Sequence, residues 1–474
     1  MAEAIRPRLY MQIPTNWQQT FTALDNKDNA FLKEALSLFL ELDKKSLNNR
    51  GLLLATIAKL IAEIDLRLTK QLDTIIQDDD FQRLERNWLS LKGLATLPIN
   101  YQRIRLKILD MSWHEISADV NQAYNIKSSE LFNKIGNQEL NTLGGHPFGC
   151  ITFAHRISMD IGIDSDYDDL FTLELLGKLG EVTLCPMLFS PNSQFFANTG
   201  ADWISDIDRI EKILSGPDYQ AWQALRNKPC ARFIGLVMPF VRLRAPYHNF
   251  KSGFIYNESG QGLWGNAVFP FVSTIMREYQ RINWFGFLKS RWNDKYQGAV
   301  VNLPNHPIAA HYIQAPEADI PLFGQLSSFY AQNGFIPLTK SPLTDKYYFN
   351  GNNSIWQHQN IDKEQVLTQV QTSLMSCRIA HYLKVQVREM IGSFNTATEC
   401  EVYLTQWIEN FSSNVALANE ETLAKYPLSF AKITVNESSH HPGSFVCTLR
   451  IVPQYQYDHF SGEVILTTEL DEVA

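Results

Sequence analysis

Charge is scarce in this chain: 19% of its residues are Asp, Glu, Lys or Arg, somewhat below the average for soluble proteins. The small acidic excess, a net charge of −8, supplies no long-range pull on nucleic acid or anionic lipid, so no nucleic-acid partner is expected. Long apolar runs are missing too. GLLLATIAKLIA from Gly51 is interrupted by Lys59, and FIGLVMPFV from Phe233 is too short to span a bilayer, so no membrane insertion is expected. The opening MAEAIRPRLYMQIPTN has no apolar core of signal-peptide length, and no secretory targeting is read from it. No C-x-x-C pair occurs among Cys150, Cys185, Cys230, Cys377, Cys400 and Cys447, which favours a reducing cytoplasm and argues against a zinc site. Nor is there a G-x-x-x-x-G-K-[ST], a G-x-S-x-G or an H-E-x-x-H. Internal repeats and low-complexity tracts are absent as well.

What remains is the composition of a globular protein, 45% hydrophobic and 12% aromatic over 474 residues, enough to bury a sizeable core. Helical spacing links Phe31, Leu32, Ala35, Leu36 and Phe39, then Leu53, Ile57, Leu60, Ile61, Ile64 and Leu68, then Phe81, Leu84, Trp88 and Leu91, predicting three helices. Asn48, Asn49 and Gly51 read as the first junction, and Asp78, Asp79 and Asp80 as caps for the third helix. Short apolar runs then alternate with helical ones: IRLKILDM from Ile104, CITFA from Cys150, TLCPMLF from Thr183, FIGLVMPF from Phe233 and GAVVNL from Gly298. A helix is expected over DYDDLFTLELLGKLG from Asp166, a long one from about Asp362 to Gly392, and another from Thr398 to about Phe411. The chain closes with two strands. In SFVCTLRIVPQYQ from Ser444, alternation places Phe445, Cys447, Leu449 and Ile451 on one face and Val446, Thr448, Arg450 and Val452 on the other, and EVILTTEL from Glu463 repeats the texture. A hairpin alone is marginal, so these strands need a sheet to lie on.

Few residues point to chemistry. Gly260, Gly262 and Gly265 spell G-x-G-x-x-G, but neither the strand before nor the acid after that a dinucleotide site needs is present. His306 and His311, and the adjacent His440 and His441, form no obvious chelate, and neither a metal nor a cofactor is expected. On a helical wheel over RIAHYLKVQVREMIGSF, Ile379, Leu383, Val387 and Ile391 share an apolar side, while Arg378, His381, Lys384 and Arg388 gather opposite. That basic face is either solvated, an anion site with Tyr382, or a docking surface. No strained-turn Ser or Cys accompanies it, and no enzymatic activity is expected.

Several stretches, spread from about Ile57 to the C-terminus, together resemble the large sheath subunit of bacterial type VI secretion systems, the TssC/VipB family. They are IAEIDLRLTKQLDTIIQDDDFQRLERNWLSLKGL, GGHPFGC from Gly144, ILSGPDYQAWQALR from Ile213, FIGLVMPFVRLRAPY from Phe233, LWGNA from Leu263, GFIPL from Gly334 and RIAHYLKVQVREMIGSF. Pro270 departs from the pattern, falling where the family continues a helix after L-W-G-N-A, and residues 1 to about 50 match poorly.

The resemblance implies a structural protein that pairs with a small sheath subunit (TssB/VipA-like), stacks with neighbouring copies of itself around a tube of Hcp rings on a membrane-anchored baseplate in the bacterial cytoplasm, and drives the tube out by contraction. It also implies a sheath-recycling AAA+ ATPase that grips mainly the small subunit. The fold class expected is mixed α/β. The expected domains are a helical arm over 1–60, a central α/β sheath domain over 61–330, a sheath core with the long helix over 331–440, and terminal strands over 441–474. Contact with the small subunit falls to Leu53, Ile57, Leu60, Ile61 and Ile64. Inter-subunit strand addition falls to Phe445, Val446, Thr448, Arg450, Val464, Leu466 and Thr468. Arg378, Lys384, Arg388, Glu399 and Glu401 are expected to touch the tube or a neighbouring subunit. The alternatives are the sheath of a phage-like contractile particle, and a cytoplasmic α/β enzyme using His381 or His306.

Overall fold

The structure is a computed structural model. It describes residues 30, 34, 50–159, 166–249, 255–286, 288, 300–301, 306–309, 312–314, 317–341, 346–357, 365–390, 396–412, 425–437, 445–454 and 464–470. The chain divides into two compact units, Met1–Phe81 with Pro246–Gln261, and Gln82–Ala245 with Gly262–Ala474.

In the first unit, α1 (Arg50–Ile76) is one uninterrupted helix of 27 residues. Gly51, expected at a junction, instead lies in its first turn, and no Gly or Pro follows before Ile76 to end it. Its C-terminal end is tied to the 246–261 segment. Tyr256 Oη donates to Asp73 Oδ1 at 2.9 Å, and Gln77 Nε2 donates to Glu258 Oε1 at 3.0 Å. The other Glu258 oxygen accepts from Tyr247 N at 2.8 Å, so this buried carboxylate is held from both sides. The helix expected over Phe31 to Phe39 lies outside the described residues.

The next helix, α2 (Asp79–Ala95), is capped as its aspartates predict: Asp78 Oδ1 accepts from Asp80 N and Phe81 N at 3.1 and 3.0 Å. In the second unit α3 (Trp113–Gln122) opens on a capping box made by Ser112 and Glu115. A six-stranded sheet follows from β1 (Ile151–Ile157), β2 (Met187–Pro191), β3 (Ile234–Met238), β4 (Val300–Val301), β5 (Phe335–Lys340) and β6 (Tyr347–Phe349), in the order β1-β2-β3-β5-β6-β4. The pairs β1–β2, β2–β3 and β3–β5 are parallel; β5–β6 and β6–β4 are antiparallel. Four of the five expected strands are therefore found. The fifth, IRLKILDM, forms no regular element and carries no ladder partner among the described residues; Ile108 and Leu109 are exposed while Ile104 and Leu106 lean on the core.

Both faces of the central strands β2 and β3 are covered, which is why they read as continuous apolar runs. Leu188, Val237 and Ile336 face one core, shared with α5 (Val268–Ile282) and α7 (Val370–Met390). Met187, Phe189, Leu236 and Phe335 face the other, shared with α3, α4 (Asp169–Thr183) and α6 (Gly324–Gln332). At the centre of the second core Phe335 sits among Phe195, Phe196 and Trp222, with ring centroids 5.7, 5.2 and 5.8 Å away.

Three further expectations need correction or completion. Pro270 is the third residue of α5, where its missing N–H costs no intrahelical bond, so the helix after LWGNA forms despite it. The long helix starts at Val370, not near Asp362. A bridge pairs Asn353 with Gln369, and Ser354 N and Val370 N donate to Thr368 O and Asn352 O, so the chain before Val370 is held by loop 352–354. The terminal sheet has three strands rather than two: β7 (Leu428–Glu437), β8 (Phe445–Pro453) and β9 (Val464–Leu470), antiparallel throughout with β8 in the middle. Helix α8 (Ala397–Glu409), capped by Thr396, places Cys400, Leu404 and Ile408 in one core with Ile433, Val435, Cys447, Leu449 and Ile451. The opposite face carries exposed Phe430, Lys432, Arg450 and Ile465, with Lys432 directly across from Arg450. The connection through Tyr457, Asp458 and Gly462 lies outside the described residues.

Candidate interaction surfaces

Three surfaces carry the residues singled out by sequence. On α1, Ile61, Ile64 and Leu68 are 49, 57 and 41% exposed, and Leu54 adds a further exposed side chain. Ile57 and Leu60 are half-buried; the side chain of Leu53 lies outside what is described. Leaving so many aliphatic side chains in water forgoes about 25 cal/mol per Å² of burial. One ion pair on this stretch, Glu63 with Arg67 at 2.8 Å, is solvent-exposed and contributes little. Continuing the theme, Phe81, Leu84 and Trp88 of α2 are 40, 57 and 64% exposed.

The second surface is the terminal sheet. Val446, Thr448 and Arg450 lie together on the outward side of β8, as alternation predicts, and Cys447, Leu449 and Ile451 are fully buried on the inward side. Yet β8 is paired on both sides, to β7 through nine residue partners and to β9 through seven. Its main chain has no open edge. β7 is covered along its outer edge: Glu401 Oε2 accepts from Val435 N at 3.1 Å, Ser412 bridges Leu428, and Leu428 N donates to Phe411 O. β9, which carries Val464, Leu466 and Thr468, pairs with β8 alone among the described residues. The side chains of Phe445, Leu466 and Thr468 lie outside what is described.

The third surface, the basic face of α7, is not a face in the folded chain. His381 is buried, its Nε2 lying 3.2 Å from Thr183 O, while Nδ1 has no partner. Burial first, then the nearby Arg378 and Lys384, pushes its pKa down to about 4, with the Thr183 carbonyl opposing, so it is a neutral core histidine at neutral pH. Arg378 is half-buried with its guanidinium over the Tyr382 ring at 4.6 Å and 5.9 Å from that of Tyr279. Lys384 is also half-buried, with Nζ 3.5 Å from Asn141 Oδ1. The side chain of Arg388 lies outside what is described. Of the two acids beyond the turn, Glu399 is exposed in the first turn of α8, whereas Glu401 is committed to β7.

Burial raises the thiol pKa of Cys150 to about 12, of Cys230 to about 11 and of Cys447 to about 12, and raises those of Cys185, Cys377 and Cys400 as well, so none is a reactive thiolate at neutral pH. His306 begins a short strand, His306–Ala309, while His311, His440 and His441 lie outside the described residues. Gly265 ends a short strand, Leu263–Gly265, paired with Val241–Arg244, which is not the strand, turn and helix of a dinucleotide site. Among the described residues no helix is long and apolar enough to cross a membrane.

Sequence reasoning missed β7 and the role of Glu401. The signal for β7 was present in the alternation of Ala431, Ile433 and Val435 with Lys432, Thr434 and Asn436.

Two family models account for most of the chain. VipB, described as EvpB/VC_A0108, tail sheath N-terminal domain, matches residues 58–356, and VipB_2, described as EvpB/VC_A0108, tail sheath gpW/gp25-like domain, matches residues 359–470. Among curated proteins, the type VI secretion system sheath protein TssC1 of Pseudomonas aeruginosa is 26% identical over 437 residues, covering 88% of this chain and 86% of that one. Among solved structures, the sheath tail protein of Desulfitobacterium hafniense aligns with 65% of this chain and 62% of that one, at 11% identity and a TM-score of 0.29.

Proposed function

The chain belongs to the VipB tail sheath family, and from that membership we propose that it is the large structural subunit of a type VI secretion sheath, pairing with a small sheath subunit and polymerising with copies of itself around an inner tube. The observation that carries this reading is the asymmetry of the terminal sheet. One outer edge is occupied by α8 and residues 411–412, and the other, on β9, has no second strand among the described residues. An unpaired edge is a template for another chain, and a sheet with one edge covered and the other open suits the head-to-tail contact from which helical stacks grow. If each main-chain bond contributes on the order of 1 kcal/mol net, a strand added to β9 would form a tether able to survive rearrangement of the subunits.

The exposed aliphatic stripe of α1 supports a second contact, with helices of the small subunit completing a bundle. Glu399 and Lys384 are the members of the charged set best placed to meet the tube or a neighbour; exposed ion pairs are worth about 0–1 kcal/mol each, weak enough to break on contraction and additive along a filament. The subunit is read as non-enzymatic, with energy stored in assembly and released in a switch between two packings. Assembly is placed in the bacterial cytoplasm, on a membrane-anchored baseplate, around Hcp rings, with recycling by an AAA+ ATPase acting mainly through the small subunit.

Co-expression with the small sheath subunit, followed by negative-stain electron microscopy, tests the proposal. Hollow tubes with cogwheel sections that require both proteins are expected. A stable monomer that ignores the partner would overturn it.

A further inference from the structure

The terminal sheet and α8 form one layer whose two outward sides carry opposite charge. On the sheet side Lys432 of β7 stands across from Arg450 of β8, and Arg450 is in register with Ile465 of β9; in the next row Phe430 stands across from Val452. Phe430 and Ile465 are each more than half exposed. Lys432 and Arg450 are exposed too, and among the described residues neither side chain takes part in an ion pair or a hydrogen bond. On β9 the acid Glu469 is in register with Val446, roughly 13 Å along β8 from Arg450. A sheet face bearing large apolar side chains is ordinarily buried against another layer, and α8 packs on the other face only.

On the helix side the pattern is acidic and apolar. At about 100° per residue Cys400, Leu404 and Ile408 turn toward the core, while Glu399, Val402, Tyr403, Gln406 and Glu409 gather on the opposite side, all of them exposed. No Lys or Arg occurs in α8, and the negative end of the helix dipole adds to Glu409 in the last turn. The acidic helix side and the basic sheet side look away from one another across a single layer. One copy of the chain therefore cannot bring them together, but two copies can.

We propose that α8 of a second copy lies on the outward face of the terminal sheet, its last turn and Glu409 over Lys432 and Arg450, with Val402 and Tyr403 against Phe430. Back from Glu409 to Val402 the helix runs about 10 Å, and from Lys432 to Phe430 the strand runs about 7 Å, so the charged and apolar contacts fall within reach together. Two different patches on opposite sides of one layer make the contact head-to-tail, and it can repeat. Its repetition rests on the polymerisation read above, and it adds a second direction to it: a strand added to β9 joins a neighbour in the plane of the sheet, whereas α8 joins one across it. One helix of 13 residues laid on a sheet is a small contact, of the size of transient pairs, and holds copies together by being repeated.

The test mixes two full chains, one carrying Gln406→Cys and the other Ile465→Cys, both at exposed positions, and treats them with a short bis-maleimide in the presence and absence of the small sheath subunit. Linked peptides are identified by mass spectrometry. A link between positions 406 and 465 is expected in excess over links between like positions. Changing Lys432 and Arg450 to Glu in the Ile465→Cys chain should lower its yield about tenfold, and adding Glu409→Lys to the other chain should restore most of it. That rescue separates lost charge from lost folding. Filaments without the 406 to 465 link, like-position links in equal yield, or a link that ignores charge reversal would overturn the contact and leave the sheath reading standing. A charge-dependent link between chains that form no filaments supports the contact and overturns the sheath reading. Neither filaments nor link would overturn both.

Discussion

Glu401 on α8 reaches across to β7 and accepts the main-chain N–H of Val435 at 3.1 Å, so a helix side chain occupies a position that another strand would otherwise take. Val435 is buried, and removing the acceptor leaves its donor unsatisfied. Glu401→Ala should therefore cost on the order of 1–3 kcal/mol in urea unfolding and speed hydrogen exchange at the Val435 amide. An unchanged exchange rate at that amide would show that the covering of β7 does not depend on Glu401.

His381 gives the chain an acid limb. Its folded pKa, about 4, lies below the unfolded value near 6.5, so the unfolded chain binds the extra proton first. The stability linked to neutral His381 is complete above about pH 6.5 and is lost as pH falls toward 4, amounting to about 2 kcal/mol at pH 5. His381→Gln keeps a donor for Thr183 O and removes the titration. Urea unfolding at pH 7 and 5 should show a smaller difference in the variant than in the wild type.

Ile61 and Ile64 are exposed, so changing both to Asp should move the urea midpoint of the isolated chain little. The same pair should abolish co-purification with the small sheath subunit. Pairing retained at wild-type level would reduce the stripe to an ordinary solvent-facing helix.

Deleting residues 455–474 removes β9 and exposes the β8 edge in its place. The heterodimer should survive, since α1 is untouched, and sheath should not form. Normal filaments after this deletion would rule out strand addition at β9.

Phe335→Ala tests the core rather than the surface. The ring is fully buried among four aromatic neighbours, and its loss should cost about 3–5 kcal/mol in urea unfolding.

The runs that became β2 and β3 were legible because strands covered on both faces leave little room for polar residues, and the caps of α2 were legible because Asp78 acts on its own neighbours. The wheel over α7 misled for the opposite reason. Helical periodicity describes one element, but what surrounds His381 and Arg378 comes from Thr183 and Tyr279, about 200 and 100 positions away. β7 was overlooked because outward-facing Phe430 blurs the alternation that its other residues keep.

Lys432 and Arg450 stand opposite one another on the outward face of the terminal sheet, two like charges with no acid between them in the cross-strand pair. Two such sheets laid face to face would crowd four cations together, so lamination is electrostatically penalised, whereas lengthening the sheet sideways through β9 meets no such barrier. If copies join through β9 as proposed, the cationic outward face disfavours layering of sheet on sheet and leaves lengthening of the sheet in its own plane as the open route of sheet growth.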